Sequence, residues 1–336
     1  MRLLSISLSF PGGIQQDDRS SFVLYPSMAE IFFQTLPFFL LIGLGYGSGK
    51  AGFFSEEATA YLTKFVFYFA LSAMLFRFSA NLSIHDVFDW VFVGAYLLPT
   101  FIVYLLVTIF VLVRRRSIPE AAVEAQVGVI GNVGFLGIPM FALLLGTEAI
   151  GPLLIVLAVD LIVFGSLIVI LIAAGRENGL HVGIIGAVIK AIMTNPMIIS
   201  MSLGLLWAGL SLPVPGPANA FLEILGAAAT PGALFAIGAS LASKSAERLS
   251  VAVWLSAVKL LLHPAAVAVS ALWLFPVEPY AAGVMIACAS LPVAGNIFII
   301  AQHYGVAPQR VSASILISTA ISVVTVTVVI AWVSGF

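Results

Sequence analysis

The chain has 336 residues, of which 61% are hydrophobic and 9% are charged, and its formal net charge at pH 7 is −1. Soluble domains carry about 25% charged residues, so the composition excludes an ordinary soluble protein and indicates a polytopic helical membrane protein. The net charge gives no indication of a nucleic-acid partner, and a single cysteine, Cys288, excludes a disulfide within the chain.

Residues 1–27 differ from the rest of the chain. Their apolar part is short and is broken by Pro11, Gly12 and Gly13, and the charged sequence DDR follows. We interpret them as an unstructured or interfacial N-terminal extension, because Met28 begins a self-sufficient apolar segment. A cleaved signal and a wrongly assigned start codon are the alternatives.

Ten apolar segments follow, each close to the roughly 20 residues that a bilayer helix needs. The predicted fold class is therefore an all-α membrane protein with ten transmembrane helices. Gly- and Pro-rich turn sequences separate the segments. The predicted spans are residues 29–48, 57–78, 88–113, 120–145, 149–173, 184–208, 218–242, 249–274, 279–302 and 311–334.

The distribution of Lys and Arg predicts the orientation. The loops after spans 1, 3, 5, 7 and 9 carry basic residues, whereas the even-numbered loops are nearly free of them. The positive-inside rule places the odd-numbered loops in the cytoplasm and both termini on the extracytoplasmic side of the plasma (inner) membrane. The basic residues are Lys50, Arg114, Arg115, Arg116, Arg176, Lys244, Arg248 and Arg310.

Sequence similarity at a fixed offset indicates an internal duplication. Residues 35–37 (TLP) recur as residues 194–196 (TNP), and 196 − 37 = 159. Residues 70–76 recur as residues 229–235 at the same offset, 235 − 76 = 159. Five spans per repeat invert the second copy, so we predict inverted five-helix repeats at residues 28–175 and 176–336. A chance alignment of apolar helices is the alternative.

Two predicted spans are interrupted near their middle. Residues 131–139, GNVGFLGIP, contain three glycines and a proline, which cost about 1 kcal/mol per Gly and 3 kcal/mol per Pro relative to Ala in a helix. Residues 291–298, LPVAGNIF, repeat this use of Pro, Gly and Asn. Broken backbone is tolerated at this depth where it is buried in protein or lines a cavity. Interrupted spans in corresponding halves point to the substrate site of a transporter.

Several motifs, in this order and spacing, resemble the auxin efflux carrier family of secondary transporters, which includes plant PIN proteins and bacterial malonate and malate permeases. The resemblance extends from Met28 to the C-terminus. One departure is Ser72, where many members have a proline in span 2, although Pro231 is retained at the repeat-related position. The motifs are GNVGFLGIP, NPMIISMSLGL, ATPGALFAIGASLA, KLLLHP and ASLPVAGNIFIIAQHYG.

The resemblance implies a fold like that of bile acid:sodium symporters, in which spans 4 and 9 cross at their breaks. Spans 1, 2, 6 and 7 would form a scaffold that also forms a homodimer, and spans 3–5 and 8–10 a mobile transport domain. The implied function is secondary active transport of small organic anions, carboxylates such as malonate, malate or auxin-like acids, by an elevator movement. An organic-anion channel or facilitator without ion coupling is the alternative. Proton coupling, sodium coupling and uniport are left open.

Half-helix N-termini at a crossing suit a carboxylate, because they present a positive dipole end and free N–H groups. Asparagine side chains can add two donors each, although each could instead cap its own helix. We predict that Asn195, Pro196, Thr230 and Pro231 kink scaffold helices and line the substrate path. The predicted substrate-binding residues are Asn132, Gly134, Gly137, Pro139, Pro292, Gly295 and Asn296.

Few ionisable residues lie inside the spans, so each is a functional candidate. Asp160 lies in span 5, and Lys259 and His263 lie four residues apart in span 8, on one helix face. We predict a group that couples protons or balances the charge of the substrate. A structural salt bridge, a snorkelling lysine, and a histidine that satisfies a carbonyl freed by Pro264 are the alternatives.

Sequence motifs of enzymes and of ATP-driven pumps are missing. The chain has no HExxH, no metal-binding Cys/His spacing, no pair of intramembrane aspartates and no Walker A sequence. We therefore predict neither an enzyme activity nor a cofactor or metal ion.

Overall fold

A computed structural model describes residues 28–81, 89–176, 182–242 and 249–335, and the predicted N-terminal extension, residues 1–27, lies outside this part of the chain. The described residues are helical and contain no β-strand. Six of their helices are long and apolar enough to cross a membrane. The all-helical membrane class expected from the composition is thereby confirmed.

We number the helices of the described residues α1 to α13. Predicted spans 4, 6 and 9 each contain two helices, namely α4 and α5, α7 and α8, and α11 and α12. The six long apolar helices are α2, α3, α6, α9, α10 and α13. The bounds are Met28–Lys50 (α1), Glu56–Ala80 (α2), Trp90–Val113 (α3), Ile118–Val129 (α4), Val133–Leu144 (α5), Thr147–Arg176 (α6), Val182–Met193 (α7), Pro196–Gly209 (α8), Gly216–Ala242 (α9), Leu249–Leu274 (α10), Pro279–Ser290 (α11), Asn296–His303 (α12) and Pro308–Val333 (α13).

Side-chain caps determine where several helices begin. Ser117 caps α4 in a capping box with Glu120, and a proline follows at the start of the helix. Ser55 Oγ accepts a hydrogen bond from the Ala58 amide at the start of α2, at 3.1 Å. Such caps satisfy amide groups that have no partner within the helix, and so they fix the helix starts locally.

The short helices α4 and α11 lie in the centre of the molecule. Every residue of α4 from Ala121 to Val129 is buried, and so is every residue of α11 from Ala282 to Ser290. Small residues make this burial possible, because six of the nine residues of α11 over this length are Ala, Gly, Cys or Ser. The broken backbone that follows each of these helices is therefore enclosed by protein, as a break at membrane depth requires.

Helices α1 and α9 contact each other backbone to backbone. A Cβ atom added to Gly45 would lie 2.1 Å from the carbonyl oxygen of Phe235, and one added to Gly238 would lie 1.9 Å from that of Ile42. Close approach through small residues is the usual way in which membrane helices gain packing energy. The pair thus depends on glycine at two positions, one on each helix.

We predict that Gly45→Ala weakens this packing. The added methyl group collides with backbone that cannot move independently, and overpacking of this kind costs about 1–3 kcal/mol. The thermal unfolding midpoint of the detergent-solubilised protein should therefore fall. Gly47→Ala is the matched control, because nothing lies within 4 Å of its added Cβ; a Gly45→Ala midpoint equal to that of the control would contradict the packing.

Candidate functional site

The two breaks are paired with each other through their backbones. The amide of Asn132 donates to the carbonyl oxygen of Pro292 at 2.8 Å, and the amide of Ala294 donates to that of Ile130 at 3.1 Å. Gly131 and Val293 form the antiparallel bridge between these bonds. The pairing satisfies polar backbone groups that an unbroken helix would satisfy internally, so each break depends on the other.

A side chain on α13 completes the pairing. The hydroxyl oxygen of Ser318 accepts a hydrogen bond from the Val293 amide at 3.1 Å, and Ser318 is fully buried. The carbonyl oxygen of Asn132 accepts from the amides of Leu136 and Gly137, at 3.1 and 3.0 Å, and so begins α5. The breaks are therefore held in a defined geometry.

The predicted glycines have different roles. A Cβ on Gly134 would lie 2.6 Å from Met197 Cε, and one on Gly137 would lie 2.8 Å from Leu291 Cδ1, so both permit close side-chain packing. Gly295 has nothing within 4 Å of its added Cβ. It faces open space, which is the cavity described next.

A cavity of about 860 Å³ lies beside the paired breaks. Its walls come from α2, α5, α9, α12 and the start of α13, and Gly295 and Asn296 line it where α12 begins. The rings of Phe67 and Phe135 stack across this wall with centroids 6.4 Å apart. The polar and charged residues of the lining are Glu56, Thr59, Thr63, Lys64, Tyr68, Ser240, Asn296, Gln302, Gln309 and Ser312.

Asn296 is the polar residue closest to the break on the cavity wall. It is the first residue of α12, and its Oδ1 atom is buried and has no hydrogen-bond partner among the described residues. A buried amide position without a partner is uncommon in proteins. Oδ1 is a hydrogen-bond acceptor and is open to a donor, whereas a carboxylate would have to be held by the Nδ2 group of the same amide.

Apart from Gly295, the other predicted substrate-binding residues do not line the cavity. Asn132 is buried, Pro292 is buried and accepts the Asn132 amide, and Pro139 lies in α5. None of these three, nor Gly134 or Gly137, lines the cavity. The structure brings the predicted residues together as one paired element, of which Gly295 and Asn296 reach the cavity.

The predicted path-lining residues do not line this cavity either. Asn195 Oδ1 accepts the amide of Met197 at 2.9 Å, so Asn195 caps α8, and Pro196 is the first residue of that helix. Thr230 and Pro231 lie in α9 one turn before cavity residues on the same helix. A cap and a proline explain the interruption between α7 and α8.

The predicted ionisable residues lie in one buried network with Tyr96 and Thr100. Lys259 Nζ lies 3.3 Å from His263 Nδ1, and His263 Nε2 lies 3.1 Å from the hydroxyl of Thr100. The Thr100 hydroxyl donates its proton to the carbonyl oxygen of Tyr96, at 2.6 Å. Tyr96 in turn donates its phenolic proton to Asp160 Oδ1, at 2.8 Å.

Asp160 and Lys259 are both buried, but among the described residues they form no direct salt bridge. The Oδ2 atom of Asp160 has no hydrogen-bond partner in this part of the chain. Lys259 Nζ donates instead to the carbonyl oxygen of Ala289, in the last turn of α11. Both residues lie in π-helical turns, Val159–Phe164 and Val258–Leu262, a local geometry that is frequent at functional sites.

Tyr96 and Thr100 were not predicted from the sequence, because hydroxyl groups are common in apolar helices. Two signals could have identified them. They are four residues apart, on one face of α3. Thr100 also lies at the repeat-related position of Lys259, since 259 − 100 = 159.

A second charged cluster was also not predicted. Arg310, at the start of α13, forms salt bridges with both Glu120 and Glu124 of α4. Glu124 is 2% exposed, and the arginine side chain is 12% exposed. From the sequence, Arg310 was expected only to be a loop charge. The spacing of the two glutamates, four residues apart, is the signal that they share a partner.

Apolar helices around a cavity that is partly lined by polar residues, together with a buried ionisable network, are typical of membrane transport proteins. Comparison with known proteins indicates the same class of protein. A family model described as "Membrane transport protein" matches residues 30–330. A protein of Rhizobium meliloti (strain 1021) named "Putative malonate transporter" is 31% identical over 303 residues, which are 89% of this chain and 95% of the relative.

The chain therefore belongs to this family of membrane transport proteins, the auxin efflux carrier family expected from its motifs. It is a multi-pass integral membrane protein with a small-molecule substrate. Because the match covers nearly the whole described chain, the cavity and the paired breaks lie within the part that defines the family.

Proposed function

We propose that the protein is a secondary active transporter of small organic anions, with the substrate carboxylate bound at Asn296 and the first turn of α12. The observation that carries the proposal is the position of Asn296, which lines the cavity as the first residue of α12, where its Nδ2 group can donate to a carboxylate. A helix N-terminus carries a partial positive charge and favours an anion without a buried cationic side chain. The name of the rhizobial relative supports malonate as the first substrate to test.

The proposed domain organisation is that expected from the sequence. Residues 28–175 and 176–336 form inverted repeats. Helices α1, α2 and α7 to α9 form a dimerising scaffold, and α3 to α6 and α10 to α13 form the transport domain. The antiparallel pairing of the breaks supports the inversion. The cavity supports an elevator movement, because α2 and α9 line it on one side and α5, α12 and α13 on the other.

We further propose that the cavity opens towards the cytoplasm and that both termini lie outside, in the inner membrane. This orientation is supported by two cavity-lining residues that lie at the ends of their helices. Glu56 begins α2, and Pro308 begins α13. Each follows a loop for which the distribution of Lys and Arg predicts a cytoplasmic location. In this orientation the structure corresponds to an inward-facing state.

In this proposal Asp160, Lys259 and His263 couple transport to protons or balance the charge of the substrate. Hydrogen bonds connect Lys259 to the end of α11, next to the break, and connect Asp160 to α3 through Tyr96. A change of protonation in this network would therefore act on the element that carries the substrate site.

We predict that Asn296→Ala raises the KM for malonate about tenfold or more in proteoliposomes, because a hydrogen bond to a charged group contributes about 1.5–3 kcal/mol. Counterflow of radiolabelled malonate measures this value. Asn219→Ala is the matched control, because Asn219 accepts from Arg77 Nε at the other side of the protein and does not line the cavity. Unchanged kinetics in both Asn132→Ala and Asn296→Ala would show that the site assignment is wrong.

We predict that Asp160→Asn abolishes the effect of a proton gradient on malonate uptake but preserves malonate exchange, because the amide cannot take up a proton. Uptake against a malonate gradient, with and without the proton gradient, measures the coupling. Glu223→Gln is the control, because that carboxylate is 59% exposed and pairs with Arg77. An unchanged proton dependence in Asp160→Asn would remove Asp160 from the coupling mechanism, and a wild type without uphill uptake would indicate a channel or facilitator.

A further inference from the structure

The cavity lining that the structure describes contains two charged side chains, and both belong to α2. They are Glu56, the first residue of the helix, and Lys64, eight residues further on. At 1.5 Å per residue, the two positions are about 12 Å apart along the helix axis. The N-terminus of α2 by itself favours the carboxylate of Glu56. Lys64 is therefore a separate positive charge on the cavity wall.

Lys64 lies on the face of α2 that meets the broken element. Phe67, one turn further along this face, stacks its ring on that of Phe135, with centroids 6.4 Å apart. Phe135 follows Asn132 of the first break by three residues, and both phenylalanines line the cavity. Lys64 thus lies one helical turn from the contact between α2 and the paired breaks, on the wall of the cavity that Asn296 also lines.

The ammonium group of Lys64 forms no salt bridge with a carboxylate in the described part of the chain. Its contact is with the ring of Tyr61 on the same helix, 5.5 Å from Nζ to the ring centroid. The residue is exposed. A lysine offers three donors on a flexible stem, so the ammonium group can turn from this ring to an anion in the cavity.

The start of α12 suits one carboxylate and no more. A helix N-terminus carries a partial charge of about +0.5, and the side-chain amide of Asn296 is neutral. A second carboxylate on the same substrate needs a cation, because it is costly to remove an unpaired charge from water. Lys64 is the one cation of the described lining, and the cavity of about 860 Å³ has room for an anion with two charged ends.

We infer that Lys64 binds the second carboxylate of a dicarboxylate whose first carboxylate is bound at Asn296, and that it makes the carrier selective for dicarboxylates over monocarboxylates. The assignment rests on the proposed function, because it takes the first carboxylate to be at Asn296. Lys64 is on α2 and Asn296 is on α12, so the dicarboxylate joins the proposed scaffold to the proposed transport domain. It must leave Lys64 before the transport domain can move.

Malonate and malonamate test this role, because they share a skeleton and an amide replaces one carboxylate in malonamate. Their inhibition constants against uptake of radiolabelled malonate are measured in proteoliposomes at pH 8, where malonate is a dianion. In wild type, malonate should bind about tenfold or more tightly than malonamate. Lys64→Gln should raise the constant for malonate about tenfold and leave that for malonamate within about twofold, because it removes one charge-assisted contact.

Lys50→Gln is the matched control. Lys50 is also exposed and lies over a tyrosine of its own helix, with Nζ 5.7 Å from the centroid of Tyr46, but it does not line the cavity. Both inhibition constants should be unchanged in this variant. Where uptake by a variant is too slow to measure, the affinities for the two ligands come from the rise of its thermal unfolding midpoint with ligand concentration.

Two results would overturn the role of Lys64 and leave the proposed function in place. One is a wild type that transports malonate but binds malonamate as tightly. The other is a Lys64→Gln variant in which the two constants change equally or not at all. Absence of malonate uptake by wild type would contradict the proposed function itself, and the role of Lys64 with it.

Discussion

The structure depends on one constraint, which is that broken backbone in the interior of a membrane protein must be satisfied without water. The two breaks meet it by pairing with each other, through the Asn132 amide with the Pro292 carbonyl and the Ala294 amide with the Ile130 carbonyl. The Ser318 hydroxyl accepts the remaining hydrogen bond of this element, from the Val293 amide. The burial of α4 and α11 and the small residues of α11 follow from the need to enclose this pairing.

The pairing separates two kinds of helix end. Helix α12 begins at Asn296 beside the cavity, where its positive end suits an anion. Helices α4 and α11 end on the side of Lys259, where their negative ends suit a cation. In our account, this backbone element thus presents an anion site to the cavity, whereas the buried ammonium group of Lys259 lies beside the negative helix ends. The substrate can then bind without placing a free charge in an apolar environment.

The sequence predicted the helical membrane class, the family and the location of the two breaks, because these depend on composition and on local Gly, Pro and Asn patterns. It could not predict that Asn296 lines the cavity whereas Asn132 does not. That difference depends on how each half-helix is rotated about its axis, which is set by packing. For the same reason the partners of Asp160, Lys259 and Arg310 came only from the structure. The functional roles of these residues stay predictions.

A cryo-electron microscopy structure of the protein in lipid nanodiscs with saturating malonate tests the central claim most directly. Our account predicts density for the anion in the cavity, with a carboxylate within hydrogen-bond distance of the Asn296 amide and next to the first turn of α12. Density for malonate at another position, with the Asn296 side chain and the start of α12 free of ligand, would contradict it.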